Sequence, residues 1–504
     1  MPKNSQKQYN LLFSLSKHAK TLQGISSLLE WDHETYMPEG SASIRAEQVK
    51  TLAGLVHQCK TAKEYEGALG SLINIKTGAL KAKDLPLPKQ RALIMWRRDF
   101  VKAKALPTSF VEEFAALTSK SVSVWRAAKE KSSFKEFAPY LKKIIDLCRK
   151  KAELIGYEKH PYDALIDEFE PGETADNLAE LFGNVKPSLV SLIAKTQTKK
   201  KIDDSFLRGN FDPEKQMELG NEILKDIGFD FRYGRVDFST HPFSSSSHPQ
   251  DSRITTRKPS DNLIANISIL MHEGGHSLYE MGLPEKEYGS PLAEAVSLGI
   301  HESQSRFYEI WIGQGKPFWK RYFPKLADTF GGKLKKVSFD NFYKAINKVA
   351  PSFIRVDADE LTYPMHVILR FEIEKALIEG SASVNEIPDL WRSKMKEMLG
   401  IVPKTDQEGC LQDIHWSMGA FGYFPTYLLG SMYAAQIFDA FQAKNPDFEE
   451  RIQKEGLSFI KDYLGKTIHR HGRQYDSREL IKRATGKAFS PAAYLNYLQK
   501  KYGA

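Results

Sequence analysis

Cysteine is scarce in this chain: Cys59, Cys148 and Cys410 are the only three in 504 residues, widely spaced and odd in number. That excludes a disulfide framework and favours a reducing compartment. No apolar run reaches the length of a membrane span, and the opening Met1-Pro2-Lys3-Asn4-Ser5-Gln6 lacks the apolar stretch of a secretory leader. The cytoplasm is the expected location, with no membrane partner. Nor does one sign of charge dominate. The 72 basic residues against 63 acidic ones leave +9, spread along the chain. The densest clusters, Lys199-Lys200-Lys201 and Lys333 to Lys336, have none of the aromatic interleaving of a nucleic-acid groove and read as solvated helix ends or loops. No nucleic-acid partner is expected. Internal repeats and long low-complexity linkers are missing as well.

What is present is the composition of a folded protein, 41% hydrophobic and 27% charged, with enough length to bury a large core. Apolar residues recur at spacings of three and four over 9–35, 41–60, 88–104, 110–131, 134–155, 176–196, 213–227 and much of 314–504, which predicts helices. The one clearly non-helical region is about 228–257. Within it, Arg235 to Thr240 and Ser252 to Thr256 have the β-branched, alternating character of short strands. The expected organisation is a single mainly α unit over 1–504, with a helical part to about 227 and a second part from about 228.

That second part holds the chemistry. His272-Glu273-Gly274-Gly275-His276 places two imidazoles four residues apart, on one face if helical, where both can reach one metal ion. Glu273 sits on the flank, where it can reach a water at the metal. Chance yields such a pattern in about two per cent of chains this long, so its surroundings matter. Pro259-Ser260-Asp261 supplies an N-cap, Leu263, Ile264, Ile267, Leu270 and Met271 form a buried stripe, and Gly282-Leu283-Pro284 stops the helix, predicted over about 261–281. Two glycines inside a helix cost about 1 kcal/mol each relative to alanine, which implies close approach of a backbone or ligand there. A third ligand is expected on a following helix that opens at Ser290-Pro291 and closes at Gly313. Glu302 and Glu294 are the candidates; eight residues apart, they face similar directions, and spacing prefers neither.

The chain resembles the carboxypeptidase Taq family of metal-dependent carboxypeptidases, and block by block. In order come Trp31-Asp32-His33-Glu34-Thr35-Tyr36-Met37-Pro38, His241-Pro242-Phe243, Asp251-Ser252-Arg253-Ile254-Thr255, the metal pentapeptide and His301-Glu302-Ser303-Gln304. Ile354-Arg355-Val356-Asp357-Ala358-Asp359 and Gly409-Cys410-Leu411-Gln412-Asp413-Ile414-His415-Trp416 follow, so the likeness spans nearly the whole chain. By this resemblance Glu302 is the third ligand and the fold is zincin-like and neurolysin-like, with a small sheet beside the cleft. It further implies a homodimer and release of single C-terminal residues with broad specificity, proline disfavoured.

The ligand types favour one zinc ion per chain, with cobalt or manganese also accepted, and Glu273 as the general base. A carboxypeptidase must also grip its substrate's terminal carboxylate, which a guanidinium fork does; Arg355 and Arg253 are the candidates. The acids beside Arg355 leave a structural ion pair open. His241, His415, Tyr423 and Tyr427 carry groups suited to the tetrahedral intermediate, and the Gly- and aromatic-rich stretch 419–427 suits a channel wall. No chemistry follows for the block around Trp31. Two other readings remain: an endo-oligopeptidase of related architecture, and a non-enzymatic metal-stabilised scaffold.

Overall fold

Helices form where the apolar spacing predicts them in the computed structural model, which describes residues 2–198, 200, 202–257 and 261–503. Ala42–Thr61, Leu87–Ala105, Thr108–Glu130, Phe134–Ile155, Ala175–Gln197 and Pro213–Asp226 lie within two residues of expectation, and the first helix begins early, at Pro2, and ends at Thr35. Short helices at Lys63–Leu72 and Pro161–Phe169 are additions that the spacing does not predict. Among the described residues no helix is long and apolar enough to cross a membrane.

Among the described residues the apolar interior forms two clusters. The larger runs from Trp125 to Tyr502, so the expected division near 227 falls inside one continuous core. The smaller joins Tyr9 and Leu12 of the first helix to Leu69, Leu93 and Trp96. The helix Ala42–Thr61 belongs to neither and contains no buried residue. Arg45 secures it to the first helix, donating to Asp32 Oδ2 and the Leu29 carbonyl, each at 2.7 Å.

A three-stranded sheet occupies the non-helical region: β1 (Gly234–Phe238), β2 (Ser244–His248) and β3 (Asp251–Thr256). β3 is central, parallel to β1 and antiparallel to β2. β2 is the serine run, a poor strand former by composition that pairing with β3 nonetheless makes a strand. It packs against the first helix: a Cβ on Gly24 would lie 2.9 Å from the Ser247 carbonyl oxygen, so only glycine allows that approach. The Trp31 block finds its role here. Trp31 is buried, with the guanidinium of Arg253 4.4 Å from one ring centroid and that of Arg235 at 5.1 Å, and Tyr36 donates to Asp237 at 2.6 Å. The end of the first helix is thereby fixed to the sheet.

The helix carrying the pentapeptide is Ala265–Met281, later than its predicted start. Residues 261–263 are instead engaged with 207–209, Gly209 donating to the Asp261 carbonyl and Leu263 to the Leu207 carbonyl, which withholds them from the helix. Pro259 and Ser260, the expected cap, lie outside the described residues, as do Lys199 and Lys201. The helix predicted from Ser290 to Gly313 is three pieces: a 3-10 turn at Pro291–Ala293, an α-helix at Leu298–Arg306 and a π-helical stretch at Phe307–Ile312. The break has a local cause. Ser297 Oγ accepts from Ile300 N and caps a new helix, while Val296 N donates to Tyr279 Oη.

Candidate active site

The pentapeptide helix and Leu298–Arg306 cross in near-contact. Gly275 is what allows it, since a Cβ there would lie 2.5 Å from the Gln304 carbonyl oxygen and 2.6 Å from Ser305 Cα. A second glycine, Gly430 on the helix Pro425–Lys444, presses on the other side, where a Cβ would meet Glu302 at 2.6 Å. The helix that carries Glu302 is thus held between two helix backbones.

The result is a converging donor set. His272, His276 and Glu302 each offer one ligand atom, all within 4.8 Å of one another. Glu302 Oε2 lies 3.7 Å from His272 Nε2 and 3.5 Å from His276 Nε2. Both Nδ1 atoms point away, to Glu309 Oε2 at 2.8 Å and to His301 Nδ1 at 2.6 Å. Two imidazole nitrogens and a carboxylate with their outer nitrogens hydrogen-bonded fit a divalent transition-metal ion. Glu294, the rival ligand, is elsewhere: its extended backbone carries it to Arg473 at 2.9 Å and Lys20 at 3.4 Å. These two cations explain why it has no part in the cluster.

Electrostatics support a metal centre. Burial disfavours a charged His272, yet the carboxylates of Glu302 and Glu309 outweigh it and lift its pKa to about 9. His276 is pushed down to about 4 by burial and by the neighbouring His301 and His272. Glu273 is pushed up to about 7, by burial first and then by Glu302 and Glu309, with His272 and a hydrogen bond to Ser244 opposing. Three carboxylates around two histidines form a site that binds either a proton or a metal ion. Ser244 also borders an open cavity of about 510 Å³ between β2 and the first two long helices.

A second cluster adjoins the first through aromatic rings. Tyr363 lies beneath the guanidinium of Arg306 (4.9 Å), which is paired to Glu309 at 2.8 Å, and its hydroxyl accepts from Arg355 Nη1 at 3.1 Å. Arg355 stacks on Tyr427 at 4.9 Å, and Tyr427 is one turn from Gly430 and hence from Glu302. Tyr427 Oη lies 3.2 Å from His415 Nε2, and the Tyr423 ring is 5.1 Å from that of His415.

The partner of Arg355 is Asp413, 58 residues away, and not its flanking acids. Arg355 Nε and Nη2 both donate to Asp413 Oδ1, at 3.0 and 2.9 Å. Asp359 instead accepts from the backbone of Ala350, Leu361 and Thr362. Arg370 takes the other Asp413 oxygen at 2.7 Å. Burial opposes the charge on Asp413, but the two guanidinium groups hold its pKa well below the usual carboxylate range.

Arg355, His415, Tyr423 and Tyr427 are therefore together, as the sequence predicts of a substrate pocket. Arg253 and His241 are not with them. Arg253 pairs with Asp251 at 2.9 Å and stacks on Trp31. His241 is exposed, its ring makes no hydrogen bond among the described residues, and its charged neighbours are Glu34, Lys129, Arg257 and Arg126. Glu309, His301, Arg370 and Asp413 belong to the site but escape sequence reasoning. A carboxylate seven residues beyond Glu302 was a readable signal for Glu309; the Asp413 pairs had none.

Comparison with known proteins finds metal-dependent peptidases. The family profile described as carboxypeptidase Taq (M32) metallopeptidase matches residues 12–502. Carboxypeptidase 1 of Bacillus subtilis is 38% identical over 491 residues, 97% of each chain, and thermostable carboxypeptidase 1 of Thermus thermophilus is 37% identical over 98% of each. The crystal structure of an M32 carboxypeptidase from Deinococcus radiodurans superposes with a TM-score of 0.94 at 36% identity, covering 99% of both chains. Metallocarboxypeptidase 1 of Trypanosoma cruzi gives 0.92 at 35%, covering 99% of this chain and all of that one. The chain belongs to the carboxypeptidase Taq (M32) family of metallopeptidases.

Proposed function

We propose that this metallocarboxypeptidase hydrolyses the last peptide bond of its substrates and releases one residue at a time, with His272, His276 and Glu302 holding the metal and Glu273 as general base. The observation that carries the reading is a charge imbalance. Arg355 and Arg370, both buried, share the single carboxylate Asp413. His415 and His366 beside them are kept neutral, their pKa values pushed down to about 3 chiefly by burial. Two buried guanidinium groups bonded to one carboxylate, joined to the metal ligands through Tyr363 and Tyr427, suit the terminal carboxylate of a peptide.

A divalent ion bound at the ligands supplies Lewis acidity, polarising a carbonyl and making water acidic enough to attack near neutral pH. Glu273, buried on the ligand helix next to His272, takes the proton of the attacking water and passes it to the leaving amine. Arg355 orients the substrate by its carboxylate. Tyr423, Tyr427 and His415 offer hydrogen bonds to the developing oxyanion. Arg253, paired with Asp251 and stacked on Trp31, and the exposed His241 would contact substrate only away from that cluster, beside the sheet.

Zinc is the metal proposed, because a His-His-Glu set suits it, with cobalt or manganese as replacements. Broad specificity with proline disfavoured and a homodimeric assembly are proposed from the sequence resemblance. The three free cysteines favour the cytoplasm. The deciding experiment is mass spectrometry of one peptide digested as free acid and as C-terminal amide. Stepwise loss of single residues from the acid alone is expected. Internal cleavage of both at equal rates would favour the endo-oligopeptidase, and no turnover of either by metal-loaded protein would favour the scaffold.

A further inference from the structure

The two ligand histidines are supported differently. His272 Nδ1 faces a carboxylate directly, Glu309 Oε2 at 2.8 Å. His276 Nδ1 faces another imidazole, His301 Nδ1, at 2.6 Å, and His301 Nε2 lies 2.9 Å from Glu280 Oε1. Two ring nitrogens at that separation share one proton, so one donates and the other accepts. If His276 binds a metal through Nε2, its lone pair is committed there and its proton sits on Nδ1. His301 Nδ1 must then be bare, which leaves the His301 proton on Nε2, pointing at Glu280.

We infer that His301 and Glu280 are positioning residues for the metal centre: Glu280 selects the tautomer of His301, and His301 in that tautomer fixes the ring and the tautomer of His276. The inference rests on the reading of His276 as a ligand. With Glu280 absent, His301 has no reason to keep its proton on Nε2. Its other tautomer sets two N–H groups against each other at the His276 contact and turns the ligand ring away. Glu280 is suited to the task, since burial disfavours its ionised form but the His301 hydrogen bond and the charge of Lys20 keep it a carboxylate. The Glu280 end borders a polar cavity of about 210 Å³ that Lys20 and Ser244 also line, which sets this arrangement apart from apolar core packing.

The test is zinc affinity of the apoprotein, measured by competition with a chromogenic chelator. His301→Leu and Glu280→Ala are expected to weaken zinc binding by roughly 10- to 100-fold, the usual cost of losing such a support, while still taking up one ion per chain at saturation. His301→Asn, whose amide oxygen falls near the accepting Nδ1, should recover most of the loss, a rescue that a packing role would not show. The parent affinity in both His301→Leu and Glu280→Ala overturns the proposal, as does a His301→Asn protein no better than His301→Leu. If His301→Leu fails to fold, the zinc affinity of Glu280→Ala decides by itself. His276→Ala is run alongside: unchanged zinc binding there means the ligand assignment itself is wrong.

Discussion

Gly275 meets Gln304 backbone to backbone, so closely that a methyl group on Gly275 would lie 2.5 Å from the Gln304 carbonyl oxygen. The separation of the ligand helices, and so of His276 from Glu302, depends on that missing carbon. Gly275→Ala must push one helix away, a strain of about 1–3 kcal/mol that falls on the metal geometry. Gly274 differs, because a Cβ there meets only the ends of the Leu224 and Ile227 side chains, at 2.8 and 3.0 Å. Metal content and melting temperature of both variants should show a large loss for Gly275→Ala and a small change for Gly274→Ala. Equal behaviour would mean the close approach is not what sets the site.

Glu273→Gln removes proton transfer and leaves the three ligands in place. Turnover should fall by at least about two to three orders of magnitude, with metal content and fold unchanged. Near-parent activity in a metal-replete variant would rule Glu273 out as the base.

Arg355 exerts its grip only on substrates that present a carboxylate. Arg355→Ala should reduce kcat/KM for free-acid peptides by roughly 2–4 kcal/mol and for amidated peptides much less. Comparing two enzymes on two peptide ends separates the coupling from general damage, including the loss of one of Asp413's partners. Equal losses on both peptides would assign Arg355 a structural role.

Glu170 is buried behind the second ligand helix, where Oε2 accepts from Gly299 N at 2.9 Å and Oε1 from the Tyr433 hydroxyl at 3.3 Å. Burial pushes its pKa from 4.5 up to about 7. Between those values the folded chain keeps a proton that the unfolded chain has released, so stability from this group is full below about pH 4.5 and is lost as pH rises through about 7. Glu170→Gln keeps an acceptor for Gly299 and donates to hydroxyls free to turn. From about pH 5 to 8 the variant should gain on the parent, by at most about 3 kcal/mol in urea denaturation. A difference that does not change with pH would show that Glu170 is ionised throughout.

The readable parts of this molecule were those encoded by spacing within one element. His272 and His276 share a face because they are four apart, and of the two internal glycines Gly275 announced a close backbone contact that Gln304 and Ser305 then supplied. Glu302 was separated from Glu294 only by family likeness. The physical reason they do not compete, a helix break at Ser297 and the pull of Arg473 on Glu294, is tertiary. Asp413 serving Arg355 and Arg370 is a pairing across tens of residues with no periodic trace. The Trp31 block likewise made no sense until β1 and β3 brought Arg235 and Arg253 to its ring.

One consequence concerns the helix Ala42–Thr61. Having no buried residue, it can lose its backbone hydrogen bonds without exposing either apolar cluster. The pentapeptide helix, with ten buried residues, can do so only by opening the molecule. In deuterated solvent the amides of Ala42–Thr61 should exchange through local fluctuations, long before those around His272. The wall of the 510 Å³ cavity that Arg45 and Val49 provide is therefore its most yielding side.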